Sequence, residues 1–404
     1  MHDRVRAWLE GKSDEVIAFA GEMVRIPSPP GDEGPLSRAI VDRLRTLGVP
    51  AEIDAIGNVY GGLPAATTMD GLLLATHTDQ APAGAMEGAF TGDIRDGTPF
   101  GVDGPILWGR GSNGQKAARA GMVYALAALK ATGADLPLPV GMAGLVMEEG
   151  GGHIGPRYLT GQLGSRPRWV VIGENTDLAI HTGHRGITNL RLTVRGRAAH
   201  ASVPAEGVSA LMTFADICRI IEERSSELPA DPEFGALTIT PTMLSVIPNV
   251  TNVVPEVCVA NLDCRVIPGW TPEKVRDLVA DWLEAAGEPR GASVVVEIST
   301  QTVTTWTGQQ VESDGCILPF STDPDHELVQ VAAKSVTAAG SEPEVRLWRA
   351  GTDGGYFGGE LGIPTIGIAP GRAAFSHTIH EHVPANDIPK AAHIYAALAM
   401  TLCG

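Results

Sequence analysis

Two adjacent carboxylates, Glu148 and Glu149, close an apolar run from Val140 to Met147 and are followed by Gly150, Gly151 and Gly152. The run has the length and apolar content of a buried strand. Successive strand residues face opposite ways, so at a strand end one carboxylate can hold a cation while its neighbour takes a proton. A solvated acidic turn is the other reading of this stretch taken alone. Gly71 to Thr76 is a second apolar run, and it ends in His77-Thr-Asp79. A His-x-Asp pair puts both side chains on one face, where the carboxylate can orient the imidazole as metal-bound histidines are held, although so short a pattern is also common as plain structure. Trp169 to Ile172 is a third run, ending in Gly173-Glu174. In an open α/β sheet ligands bind outside the carboxyl ends of the strands, so three runs that deliver His77, Glu149 and Glu174 to such ends point to one place. Imidazoles and carboxylates gathered there suit a cation that activates water, with a spare carboxylate as base.

The elements that must position these groups follow from the periodicity. Helical patterns cover 14–26 and 34–47, separated by the loop Pro27-Ser-Pro-Pro-Gly31. Residues 51–60 read as one strand, and 80–107 as a long glycine- and proline-rich excursion of the kind found beside active sites. Trp108-Gly-Arg-Gly111-Ser-Asn-Gly114-Gln-Lys116 then feeds a helix over 115–132. This turn is not a Walker A pattern, and the GxGxxG spacing is present only in part, so it gives little support to phosphate binding. From 187 to 300 the texture becomes β-α-β-β-α-β, a ferredoxin-like unit of a size that folds alone. The expected fold is therefore α/β: a mixed-sheet catalytic domain over 1–186 and 301–404, with 187–300 inserted. A helix over 325–338, a strand over 364–369 and a helix over 386–403 complete the first domain.

At 404 residues the chain exceeds one ordinary core. Forty-seven acidic residues against 30 Lys and Arg give a formal charge of −17, which disfavours nucleic acid or an anionic membrane as a partner. The five cysteines show no CxxC spacing, so neither a disulfide framework nor a thiolate zinc site is indicated. No apolar run approaches membrane-spanning length, and Met1-His-Asp-Arg-Val-Arg-Ala-Trp lacks the apolar core of a signal peptide, so a cytoplasmic location is the expectation.

Nine motifs occur in a fixed order: Thr76-His77-Thr-Asp79, Gly109-Arg-Gly111, Glu148-Glu149-Gly150, Gly173-Glu174-Asn-Thr176 with His184-Arg185-Gly186, Gly196-Arg-Ala-Ala-His200, Asn252-Val-Val-Pro255, Asp263-Cys-Arg265-Val-Ile-Pro268, Gly351-Thr-Asp353 and His377-x-x-His380-Glu381. Together they resemble the M20 family of metal-dependent peptidases and deacylases, which includes acetylornithine deacetylase, succinyl-diaminopimelate desuccinylase, aminoacylase and carboxypeptidase G2. The resemblance implies that His77 and Glu174 bind one metal, Glu149 and His377 a second, that Asp79 orients His77, and that Glu148 is the general base. It makes the inserted domain a lid and dimerisation domain. His200 would reach a partner subunit's site to stabilise the oxyanion, while Asn252 and Arg265 would hold a substrate carboxylate. For His200 a surface histidine in a small-residue turn is the alternative. Zinc, manganese or cobalt would suit the ligand set.

Three departures modify that expectation. The GRG motif continues, in the family, to an aspartate that bridges the metals, but here the position is Gly114. Two divalent ions about 3.5 Å apart need shared anionic ligands, so one metal per chain is expected, with the Asn113 carbonyl as a weak substitute. Relatives often carry asparagine at the position of His380; together with His382 and His153 it could rebuild a coordination sphere, or all three could be supporting or surface groups. Many relatives place an arginine near Gly355, a role Arg349 could take over. The expected activity is hydrolysis of a C–N bond in a small carboxylate-bearing substrate, by an amide deacylase or aminoacylase-type reaction. One alternative is an aminohydrolase releasing ammonia from an electron-poor aromatic amine such as 5-nitroanthranilate, with Trp108, Trp306, Trp348, Tyr356 and Phe375 lining an aromatic pocket. The other is a non-catalytic binding relative. A homodimer or higher homo-oligomer is expected.

Overall fold

The computed structural model describes every residue of the chain except 66–68, 165 and 288. It separates into two compact units, one of residues 1–183, 302–311 and 321–404, the other of 184–301 and 312–320. Segment 312–320 lies outside the 187–300 limits expected from the pattern because Ile317 bridges antiparallel to Ile187 and so returns the chain to the second unit.

The first unit is built on a nine-stranded mixed sheet. Its central strands run in the order Val59–Leu63, Val140–Leu145, Leu72–His77, Trp169–Ile172, Thr365–Gly367 and Ile180–His184. Leu72–His77 pairs parallel with both Val140–Leu145 and Trp169–Ile172, and Thr365–Gly367 pairs parallel with Trp169–Ile172. Four neighbouring strands therefore end on the same side. Every residue of Leu72–His77 and Val140–Leu145 is buried, which is why both read as unbroken apolar runs rather than alternating ones. The helix Gln115–Thr132 covers the sheet, packs against Asp387–Leu402, and leaves only Lys130 and Ala131 unburied. A methyl at Gly121 would lie 3.1 Å from the Ala392 nitrogen, so glycine sets how closely these helices approach.

The structure corrects two expected strands of the first unit. Residues 51–60 are a hairpin, Ala51–Ile53 and Val59–Leu63, whose turn is built by Asp54: its Oδ1 accepts from the N–H groups of Ile56, Gly57 and Asn58. The strand expected to reach Met147 ends at Leu145, because Met147 adopts a left-handed φ of 66° and starts the short helix Glu148–Gly151. The 80–107 excursion contributes Ile94–Asp96 and Pro105–Trp108 to a three-stranded sheet with His382–Pro384.

The second unit has four antiparallel strands in the order Thr238–Ile247, Val257–Val266, Gly186–Arg195 and Ser293–Ile298. Helices Ala210–Arg224 and Pro272–Ala285, capped by Ser209 and Thr271, cover one face. Val257–Val266 alternates strictly between buried and half-buried residues, the mark of a one-faced sheet. The expected strand over 253–266 is interrupted at Pro255, which leaves Val253–Val254 to pair with Ala199–His200 instead.

Candidate metal centre

His77, Glu148, Glu149, Glu174 and His377 all lie in the loops and ends that follow the four parallel strands. His77 is the last residue of its strand, and its side chain is only 5% exposed. Its Nδ1 faces Asp79 Oδ1 at 3.3 Å and its Nε2 faces Glu174 Oε1 at 3.0 Å. A proton on Nδ1, shared with Asp79, leaves the Nε2 lone pair for a cation. Asp79 has a second task that the sequence did not disclose. Its Oδ1 and Oδ2 accept from the Glu148 and Glu149 N–H groups at 3.1 and 2.8 Å, while Glu33 Oε1 accepts from Met147 N–H at 3.2 Å. Two buried carboxylates thus hold three successive N–H groups of the turn that presents the glutamate pair.

The other half of the site is more open. His377 Nε2 lies 3.0 Å from Glu149 Oε1, with side-chain exposures of 64% and 19%. His377 itself has a left-handed φ of 60°. Ligand atoms of His77, Glu148 and Glu149 all lie within 4.8 Å of one another, so imidazole and carboxylate donors converge as a borderline divalent ion requires. His77, Glu149, Glu174, His377 and Glu381 line one small cleft with Arg110, Gly111, Asn113, Asn175 and Ser376.

Burial pushes the Glu148 carboxyl well above its usual range, and the carboxylates of Asp353, Glu174 and Glu149 push further, against the pull of His77. Burial also acts on Glu149, but the hydrogen bond from His377 and the nearby imidazoles outweigh it and lower the group. For His77 burial opposes protonation, yet Glu174, Glu148 and Asp79 win and raise it well above its ordinary value. The His377 imidazole is raised chiefly by its hydrogen bond to Glu149.

The remaining expected residues fall into place unevenly. Arg110 and Glu381 form a buried ion pair, and Glu381 Oε1 also accepts from Gly111 N–H at 2.6 Å, locking the GRG turn to the His377 loop. The Asn113 amide is engaged with the main chain of the His377 loop, its Oδ1 accepting from Arg372 N–H at 2.7 Å. His153 is buried with Nδ1 3.5 Å from Asp353 Oδ1, so it faces a carboxylate outside the ligand set. His382 is buried against Phe375, with ring centroids 4.2 Å apart, and His380 sits beside Phe100 and Trp108. Arg349 is exposed and has no side-chain partner among the described residues. Of the aromatic residues expected to line a pocket, Trp108, Trp348 and Tyr356 are buried, Trp306 donates to Gly57 O, and half-buried Phe375 packs on His382.

In the second unit, Ala201 N–H donates to Asn252 O at 3.0 Å, so the strand pair brings His200 and Asn252 side by side. His200 Nδ1 accepts from Ser202 N–H at 3.2 Å, which puts the neutral ring's proton on Nε2. Arg265 is held by Asp263 through two contacts of 2.7 and 3.1 Å, so it is not the free fork expected from its motif.

Lys116 and Arg119 escaped the sequence reading. Both are fully buried. Lys116 Nζ donates to Ile26 O at 2.9 Å, and Arg119 donates to Thr78 Oγ1 and Thr76 O at 3.0 Å and to His77 O at 2.5 Å, so Arg119 fixes the strand end that carries His77. Two cations three residues apart at the start of an Ala-rich helix were the visible signal. Burial lowers them to about 7 and about 9 respectively.

The sequence matches the description "Peptidase family M20/M25/M40" over residues 73–401. It is 28% identical over 393 residues to the Escherichia coli K12 protein named uncharacterized protein YgeY, covering 96% of this chain and 94% of that one. Against the succinyl-diaminopimelate desuccinylase of Phenylobacterium zucineum it is 27% identical over 410 residues, covering 95% and 97%. Among solved structures, a Staphylococcus aureus tripeptidase superposes with a TM-score of 0.70 at 18% identity, covering 96% of this chain and 98% of that one. The Bacillus subtilis YXEP protein, described as a dinuclear metal binding peptidase from the M20 family, gives 0.67 at 12% identity, covering 97% and 98%. At those identities the structures show a shared fold. Since the matched segment spans most of the chain and holds His77, Glu149, Glu174 and His377, this chain belongs to peptidase family M20/M25/M40 and is a metal-dependent hydrolase acting on C–N bonds.

Proposed function

We propose that the protein is an amide deacylase of the aminoacylase type, acting on a small N-acylated substrate that carries a carboxylate, with one divalent ion per chain. The observation that carries the reading is the split environment of the glutamate pair, in which Glu148 is pushed towards protonation and Glu149 towards ionisation. His77, Glu174 and Glu149 would hold the ion, with His377 on the exposed flank. Bound there, zinc, manganese or cobalt would polarise the scissile carbonyl and make water acidic enough to lose a proton near neutral pH. Glu148 takes the proton from the attacking water and returns it to the leaving nitrogen. Asp79 would keep His77 in the tautomer whose Nε2 lone pair is free to hold the ion.

Two features support one ion rather than two. Gly114 supplies no shared anionic ligand, and the neighbouring Asn113 oxygen is already used by Arg372. The desuccinylase and carboxypeptidase names among the relatives support the carboxylate-bearing substrate, and exposed Arg349 is a candidate for gripping it. Asn252 and Arg265 are proposed for the same role, Arg265 only after exchanging Asp263 for substrate. His200, with its Nε2 proton, would donate to the oxyanion in a partner's site.

That role requires a homodimer, with residues 187–300 as the inserted lid and dimerisation domain. Support comes from the edge strand Thr238–Ile247, where Met243, Leu244 and Ile247 are 71%, 49% and 56% exposed. An unpaired edge with an apolar surface suits pairing with a second copy across a two-fold axis. The test is to present N-acetyl and N-succinyl amino acids and follow acid release in the presence of manganese or zinc. Release of ammonia from aromatic amines, with no acid from any N-acyl substrate, would sink the deacylase reading. A fully active monomer by light scattering would remove His200 from the mechanism.

A further inference from the structure

Three loops meet where the two halves of the metal centre join. The turn Gly111 to Gln115 carries the Gly114 position, the loop after Trp169–Ile172 carries Glu174, and the loop after Thr365–Gly367 carries His377. They are joined by two amides and one hydroxyl. Asn113 Nδ2 donates to Arg372 O at 2.8 Å and to Ser376 Oγ at 3.0 Å, while its Oδ1 accepts from Arg372 N–H at 2.7 Å. Asn113 therefore pairs with both main-chain groups of Arg372, as a neighbouring strand would. From the other side, Asn175 Nδ2 donates to the same Ser376 Oγ.

The surroundings are shaped to admit this arrangement. A methyl at Gly371 would stand 2.3 Å from Asn113 Oδ1, and Gly371 has a φ of +96°. Any other residue there would push the amide out of the clamp. Asn113 is 3% exposed, so its hydrogen bonds are made out of water, where losing one leaves a buried polar group uncompensated. Asn175 directly follows Glu174, and Ser376 directly precedes His377, whose left-handed φ of 60° costs energy that something must hold in place.

We propose that the Asn113–Ser376–Asn175 clamp positions His377 against the Glu174 half of the site, a hydrogen-bonded link between loops at the place where Gly114 supplies no ligand. The inference rests on the one-ion reading given above, and extends it to residues that touch no ion themselves. Hydrogen bonds that orient metal ligands typically change ion affinity by about 10–100-fold when removed. Ser376→Ala deletes the acceptor shared by both amides, and Ser376→Thr keeps it.

The full-length chain, stripped with a chelator and dialysed, is titrated with manganese chloride by calorimetry, with electron paramagnetic resonance of the bound ion as a second signal and thermal melting as a fold control. We expect Ser376→Ala to weaken manganese binding about 10-fold or more and to broaden the bound-ion spectrum, and Ser376→Thr to restore both. Asn175→Ala, which removes one donor and leaves the Asn113 side intact, should weaken binding in the same direction; it carries the test if Ser376→Ala does not fold. Wild-type affinity and spectrum in either folded variant would overturn the clamp. A wild-type stoichiometry of two would overturn the one-ion reading instead, so the two failures are told apart by the same titration.

Discussion

Glu33 offers a test that does not depend on substrate or metal identity. Its side chain is fully buried, Oε1 accepts from Met147 N–H, and Oε2 has no hydrogen-bond partner among the described residues. Burial, reinforced by the nearby Asp79 carboxylate, raises the group from the ordinary 4.5 to about 7. A folded-state value above the unfolded one means that the group's stabilisation is complete below about pH 4.5 and is lost as pH rises through about 7. Working the proton linkage between those two values gives a loss of about 2.5 kcal/mol on going from pH 5 to pH 8. Glu33→Gln keeps the size and the acceptor for Met147 but cannot ionise. The glutamine variant should therefore gain about 2.5 kcal/mol on wild type over that range, equivalent to roughly 5–10 °C of melting temperature for a unit of this size. Urea unfolding of both proteins at pH 5, 6, 7 and 8, in buffer containing a chelator, measures it. If the two unfolding free energies keep a constant difference across the series, Glu33 is not a buried carboxyl that is driven towards its neutral form, and its assigned role at the Met147 turn loses its energetic basis.

Other outcomes follow from the same site. Glu148→Gln removes the base but none of the four proposed ligands, so turnover should fall by orders of magnitude while manganese affinity and melting stay near wild type; a near-wild-type rate would exclude Glu148 as base. Gly114→Asp should not recover a second ion. Gly114 has a φ of +122°, and an added Cβ would lie 3.2 Å from Asn175 N and 3.5 Å from Glu174 Oε2. Strain of about 1–3 kcal/mol and lower melting are expected, and two tightly held ions by elemental analysis would contradict that. Both His77 and His377 are raised by their carboxylate partners, so protons should compete with the ion: affinity falls as the pH is lowered, and binding near neutral pH releases protons that calorimetry in two buffers detects.

The site was legible in the sequence wherever one residue type at a strand end carried the chemistry. His77, Glu149 and Glu174 could be assigned to one place because buried parallel strands read as apolar runs, and the polar residues at or just beyond their ends stand out against them. What stayed hidden was made by backbone geometry and by partners distant in sequence. The left-handed turn at Met147 shortens the strand, and nothing in Leu145-Val-Met147 signals it. Glu33 meets Met147 across 114 residues and Arg110 meets Glu381 across 271, contacts that no local pattern encodes. Arg265 carried a family motif but is bound to Asp263 two residues away, on the same face of its own strand, and the sequence spacing alone could equally have been read that way.

The adjacent carboxylates show how neighbours, more than identity, would assign the proposed roles. Glu148 and Glu149 have the same side chain, start from the same ordinary value and follow one another in one turn. Burial opposes ionisation of both. Glu149 has an imidazole in direct contact, 3.0 Å away, and that contact reverses the effect of burial; Glu148 has three carboxylates acting on it against one imidazole, and burial prevails. A group kept ionised at neutral pH is fit to hold a cation, and a group poised to accept a proton is fit to be a base. Exchanging the two would place the poorer ligand beside His377 and the weaker base beside the attacking water. Asp79 accepts from the N–H groups of both glutamates and so holds the turn from which the Glu149 side chain reaches His377.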